Sequence, residues 1–142
     1  MATKLYEDLH ERLCRARDML RRVDGCPALV RDVALEVGIS PYHFIRLFRA
    51  VFGETPAQCR LAARLEHARY LLGVTDMTVT EICMQVGFGS LGTFSSVFSQ
   101  RVGLSPTAYR RKVQSMVSEP GEMPAQLIPG CLSLMCGDVR NF

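Results

Sequence analysis

Apolar positions recur three and four residues apart along most of this chain, the spacing that lines one face of an α-helix. Tyr6 to Arg22 places Leu9, Leu13, Ala16 and Leu20 on one face and ends near Asp24-Gly25. Val30, Val33, Ala34 and Val37 form the next stripe, closed by Gly38. Glycine takes the left-handed backbone of a helix end without steric cost. Ser40-Pro41 then offers an N-cap and a favoured first helical residue, ahead of the stripe Phe44, Leu47, Phe48 and Val51, which Gly53 ends. Thr55-Pro56 opens a long helix to Leu72 with Leu61, Leu65, Ala68 and Leu72 buried. Thr78-Val79-Thr80-Glu81 reads as a capping box, followed by a helix that stops at Gly87 and another that restarts at Gly89-Ser90. That second helix turns Phe94, Val97, Phe98 and Val102 inward, and Ser105-Pro106 opens a last helix to about Met116. The pattern predicts an all-α fold of seven helices.

Two of these stretches are copies. Residues 33–60 resemble residues 82–110: Val37-Gly38 matches Val86-Gly87 at an offset of 49. After one inserted residue, Phe44, Phe48, Gly53, Pro56 and Arg60 match Phe94, Phe98, Gly103, Pro106 and Arg110 at an offset of 50. Such self-similarity means one supersecondary unit used twice. Two helices joined by a short glycine turn are the helix-turn-helix unit. The expected organisation is a first subdomain over 5–54, a linker helix over 55–73, a second subdomain over 74–116, and a tail over 117–142 folded back on the domain. One local rule is broken: Leu29 stands where the first unit's leading helix should have a Ser or Thr cap. Either that helix starts loosely, or an upstream group such as Asp24 caps it.

Of 142 residues, 48% are hydrophobic, enough for a packed core. No run approaches the roughly 20 apolar residues that span a bilayer, and the polar start Met1 to Asp8 is not a secretory leader. The cytosol is the expected compartment, with no membrane partner. Net charge is +3, but residues 1–116 hold 16 Lys/Arg against 11 Asp/Glu, while the remainder is acidic. Fifteen of the 17 basic residues are Arg, whose planar fork suits phosphate and guanine. The six cysteines form no CxxC pair and have no His at zinc-ligand spacing, so neither metal nor cofactor is expected. Cys14, Cys59 and Cys83 fall in helical apolar patterns, where free Cys acts as a small buried hydrophobe. No nucleophile–base pair suggests an enzyme.

The chain resembles the DNA-binding domain of the AraC/XylS family. The carrying residues are Leu35-Glu36-Val37-Gly38-Ile39-Ser40-Pro41, Arg46-Leu47-Phe48 and Arg64-Leu65-Glu66-His67-Ala68-Arg69-Tyr70-Leu71-Leu72. Most specific is Ile82 to Tyr109, reading IxxxVGFxSxxxFSxxFxxxxGxSPxxY. The resemblance covers about residues 5–113. It implies a bacterial transcription regulator with two recognition helices in successive major grooves of double-stranded DNA; the expected role is an activator that also touches RNA polymerase. The first of the seven helices that the resemblance implies begins within about five residues of Met1, so no sensor domain is expected ahead of it. A monomer on an asymmetric site is expected, with a tail-mediated dimer as the alternative.

With Phe44, Leu47 and Phe48 inward, the first recognition helix shows Tyr42, Ile45, Arg46 and Arg49 outward. Arg46 suits guanine O6 and N7, Tyr42 and Ile45 suit a thymine methyl, and Arg49 and Ser40 suit phosphate. The matching second-unit positions are Leu91, Gly92, Thr93, Ser95 and Ser96 for base edges and Ser90 and Ser99 for phosphate. All are short or apolar, which predicts weak base discrimination and mostly hydroxyl-to-phosphate contact. The resemblance implies a backbone clamp at Arg110, Arg111 and Lys112, though a charge cluster is also a common solvated face. The rival class is a protein-interaction module that has lost sequence readout.

Overall fold

A computed structural model describes residues 2–23 and 28–117, with side chains from residue 6 onward. The described residues form seven helices and no strand: α1 Ala2–Arg21, α2 Val30–Glu36, α3 Pro41–Phe52, α4 Pro56–Val74, α5 Val79–Gln85, α6 Leu91–Val102 and α7 Pro106–Val117. The tail expected to fold back, Cys26, Cys131, Cys136 and the proposed Asp24 cap lie outside the described residues. Two compact units divide the chain, Met1–Arg64 and Leu65–Phe142. The boundary between them falls within α4.

In the first unit, Leu13, Ala16 and Leu20 of α1 meet Val33, Ala34 and Val37, then Ile39, Phe44 and Phe48, with Cys59 from the start of α4. Burying these side chains supplies the drive to fold, at roughly 25 cal/mol per Å² of apolar surface. Phe44 and Phe48 meet edge to face, centroids 5.5 Å apart. Val51, expected on this buried stripe, is instead 45% exposed. Phe52 takes the last core place, with its ring 4.7 Å from Phe48 and the Arg17 guanidinium 4.8 Å over it. Leu61 is half-buried rather than buried; Cys59 and Ala63 carry that stretch of the core.

The second unit repeats the plan. Leu65, Ala68, Leu71 and Leu72 of α4, Ile82 and Cys83 of α5 with its C-cap Val86, Phe94 and Phe98 of α6, and Pro106, Tyr109 and Val113 of α7 are buried in it. Its rings form a run, Phe88–Phe94 at 5.3 Å, Phe94–Phe98 at 5.6 Å and Phe98–Tyr109 at 5.7 Å. The repeat reaches further than its glycines and phenylalanines. Arg12-Leu13-x-x-Ala16-Arg17-x-x-Leu20 of α1 recurs as Arg64-Leu65-x-x-Ala68-Arg69-x-x-Leu72 of α4, at an offset of 52. Each unit therefore has its own supporting helix with the same buried Leu-Ala-Leu stripe.

Candidate nucleic-acid interface

The two turns that present the recognition helices are built identically. At the end of α2, the Gly38 N–H donates to Leu35 O at 3.0 Å and the Ile39 N–H to Ala34 O at 2.9 Å. At the end of α5, Gly87 donates to Met84 O at 3.1 Å and Phe88 to Cys83 O at 3.0 Å. This paired bonding is the Schellman ending, and its left-handed residue is glycine both times, with φ of 69° and 82°. One buried hydrophobe, Ile39 or partly buried Phe88, then pins the turn to the core.

Helix α3 leaves the first turn with Phe44 and Phe48 fully buried and Tyr42, Ile45, Arg46 and Arg49 exposed. Tyr42 is 75% exposed, and the Arg46 guanidinium lies 5.9 Å over its ring. An arginine resting on an aromatic face loses less freedom when it docks. Ser40 occupies the N-cap position, but its side chain makes no cap hydrogen bond. Its φ of −61° differs from the −147° of Ser90, whose hydroxyl does reach the helix. The expected cap at Ser40 is therefore absent, and its hydroxyl is spared from that task.

Helix α6 presents a different face. Leu91, Gly92, Thr93 and Ser96 are exposed, while Ser95 and Ser99 are half-buried. Ser90 accepts the Thr93 N–H at 3.2 Å and donates its own proton to Thr93 Oγ1 at 2.8 Å. Ser99 donates to Ser95 O at 2.7 Å. Two of the hydroxyls expected to meet phosphate thus spend their protons inside the helix. Within α6 itself, Thr93 and Ser96 are the exposed hydroxyls.

The basic cluster on α7 divides. Arg110 turns inward and donates to Met77 O, two residues ahead of α5. Its counterpart Arg60 donates to Ala28 O at 2.7 Å, two residues ahead of α2. Each arginine thereby fastens the entry of its unit's leading helix, a structural task the charge cluster does not reveal. Arg111 and Lys112 are exposed. Arg64 is partly buried, and desolvation together with Arg60 lowers its pKa. Sequence reasoning missed Arg12 altogether. Its guanidinium reaches from α1 to the α2–α3 turn, donating to Val37 O at 2.8 Å and Gly38 O at 2.7 Å. The recurrence of Arg-Leu-x-x-Ala-Arg in α1 and α4 is the signal that marks it.

Buried Cys59 and Cys83 have raised thiol pKa values. Burial, then the Glu54 charge and hydrogen bond, push Cys59 up to about 11, and burial alone raises Cys83. Burial thus disfavours the thiolate form at both. Among the described residues, no three His, Cys, Asp or Glu side chains are placed to hold a metal, and no helix is long and apolar enough to cross a membrane.

Comparison with known proteins places this geometry. A family model described as a helix-turn-helix domain matches residues 33–112. The MmsAB operon regulatory protein of Pseudomonas aeruginosa is 38% identical over 102 residues, covering 65% of this chain and 33% of that protein. The melibiose operon regulatory protein of Escherichia coli is 35% identical over 85 residues, covering 60% and 28%. The chain thus spans about a third of the length of these curated relatives. Among solved structures, an AraC-type DNA-binding transcriptional regulator from Chromobacterium violaceum superposes with a TM-score of 0.64 at 27% identity, covering 84% of this chain and 99% of that one. The DNA-binding domain of AdpA, solved with a target DNA, gives 0.63 at 29% identity, covering 76% and 94%. The xylose-binding transcription activator xylR gives 0.58 at 30% identity, covering 74% and 27%. From its two helix-turn-helix units and these relatives together, the chain belongs to the AraC-type helix-turn-helix family of DNA-binding transcription regulators.

Proposed function

We propose that the protein reads a specific duplex sequence chiefly through α3 and holds the duplex through the second unit, with the two recognition helices in successive major grooves. The observation that carries this reading is the face of α3. Four exposed side chains able to read or grip DNA stand opposite two phenylalanines with no exposed surface. A recognition helix reads base edges from its N-terminal turns, where Tyr42, Ile45 and Arg46 lie. Arg46 reads a guanine through O6 and N7, Tyr42 and Ile45 contact thymine methyls, and Arg49 and Ser40 hold phosphate. On α6, Leu91, Gly92, Thr93, Ser95 and Ser96 lie along the base edges with little discrimination. Phosphate contact falls to Arg111 and Lys112 rather than to Arg110, Ser90 or Ser99, whose donors serve the fold. A monomer on an asymmetric site follows from two unequal readers in one chain. The likeness to a transcription activator supports activation, with RNA polymerase as the protein partner.

The test compares two single substitutions on selected and random duplexes across a salt series. Arg46→Ala lowers affinity for the selected duplex about tenfold to a hundredfold, the worth of one bidentate guanine contact, with little change on random DNA. Arg111→Ala lowers both and reduces the salt slope by about one. Equal losses on both duplexes from both substitutions would remove the division of labour.

A further inference from the structure

The connection from α2 to α3 is short. Only Gly38, Ile39 and Ser40 separate the C-cap Val37 from the first residue of the recognition helix. Any displacement of this turn re-aims Tyr42, Ile45 and Arg46 at its far end. The Schellman bonds satisfy the carbonyls of Ala34 and Leu35, but those of Val37 and Gly38 project beyond the helix. They form the negative end of the α2 dipole and ordinarily seek water or a cation.

Arg12 supplies that cation. Its Nε and Nη2 both donate to Val37 O, and Nη2 also donates to Gly38 O. Its Nη1 lies 3.8 Å from Asp8 of the same helix, which steadies the guanidinium from behind. The approach is close enough that a Cβ on Gly38 would stand 2.8 Å from Nη2, so the absent side chain is part of the seat. A planar guanidinium bonded to two successive carbonyls fixes their direction as well as their distance. Arg12 is separated from the turn by 25 residues of chain, and it rises from α1 between buried Leu13 and half-buried Leu9, so its base is anchored in the core.

We infer that Arg12 is the positioning residue for the first recognition helix. It touches no DNA in this assignment; it sets the angle at which α3 leaves α2, and so the register of Arg46 on its base pair. The assignment rests on α3 being the helix that reads sequence.

The test is a selection of bound duplexes from a random pool with the wild-type chain, Arg46→Ala, Arg12→Gln and Arg12→Lys, alongside thermal melting of each. The positions lost in Arg46→Ala define the part of the motif read by α3. Arg12→Gln loses preference at those same positions, lowers affinity for the selected duplex about tenfold, and leaves random-duplex binding within about twofold. Arg12→Lys recovers part of the preference, because an ammonium still donates to both carbonyls but without the fixed fork. An unchanged motif in Arg12→Gln would overturn the assignment and leave the reading by α3 intact. A uniform loss of all positions in step with a fall in melting temperature would also overturn it, reducing Arg12 to a stability role. A wild-type chain that enriches no motif would overturn the reading by α3, and this assignment with it.

Discussion

The two units share a frame and differ in what they hang on it. The Schellman glycines Gly38 and Gly87, the ring pairs Phe44–Phe48 and Phe94–Phe98, and the inward arginines Arg60 and Arg110 coincide position by position. The solvent face of the recognition helix does not follow. The first unit shows Tyr42, Ile45, Arg46 and Arg49, whereas the second shows Leu91, Gly92, Thr93 and Ser96. The caps are unequal in the opposite sense. Thr78 and Glu81 form a complete capping box on α5, and Ser90 caps α6, while Leu29 and Ser40 give no side-chain cap to α2 and α3. The unit whose second helix exposes the longer side chains thus has the poorer local helix starts, and a long-range contact from Arg12 supports its turn. Frame positions answer to packing and backbone geometry, which both copies must satisfy. Surface positions answer to the ligand, which the copies need not share.

The largest difference should come from one shared core position. Cys59 and Tyr109 occupy the same place in the repeat, and both are buried. Tyr109→Ala removes a ring that meets Phe98 at 5.7 Å and carries the Arg69 guanidinium at 5.7 Å. It should cost roughly 3–5 kcal/mol in urea unfolding, as for other core aromatics. Cys59→Ala removes one sulfur and should cost about 1 kcal/mol, close to the worth of a buried methylene. Comparable losses would mean that the two cores are not equivalent at this position.

The inward arginines should then behave alike. Arg60→Ala and Arg110→Ala each free a carbonyl ahead of a leading helix, and each should cost about 1.5–3 kcal/mol, the range for hydrogen bonds from charged donors. If Arg110→Ala instead left stability unchanged and lowered random-duplex affinity, Arg110 would belong with Arg111 as a phosphate contact.

Smaller effects should mark the caps. Thr78→Ala should cost about 1 kcal/mol, and Leu29→Ser should stabilise by about 0.5–1 kcal/mol if the new hydroxyl completes a cap. The Glu81 carboxylate accepts from the Thr78 N–H at 2.7 Å and hydroxyl at 2.8 Å, which lowers its pKa below the ordinary 4.5. A depressed folded-state pKa adds stability that is complete above the ordinary value and lost as pH falls through the lowered one. Acid unfolding of Glu81→Ala should therefore lack a component that the wild type loses below about pH 4.5.

The fold was legible because its punctuation is chemical. Gly38, Gly53, Gly87 and Gly103 all take the left-handed backbone that few other residues tolerate, so their spacing marked the helix ends. Phe44 and Phe48, repeated as Phe94 and Phe98, marked the buried faces. Val51 misled, because helical periodicity cannot tell which of two neighbours, Val51 or Phe52, fills the last place beside Arg17. Charge was read least well. Arg110 looked like its neighbours Arg111 and Lys112, and only the carbonyl of Met77, 33 residues away, separates them. Arg12 lies in a helix whose repeat with α4 carries no glycine or proline to announce it. The repeat marks Arg12 as part of the frame, but neither helical periodicity nor the repeat names the distant carbonyl that such a side chain reaches.

The division of labour is tested most directly by selecting bound duplexes from a random pool with the wild-type chain and with Arg46→Ala, and comparing base preference across the site. Unequal readers give a lopsided motif in which strong preferences fall in one half and Arg46→Ala erases them, leaving the weak half as it was. Equally strong preferences in both halves, or a strong half that survives Arg46→Ala, would contradict it.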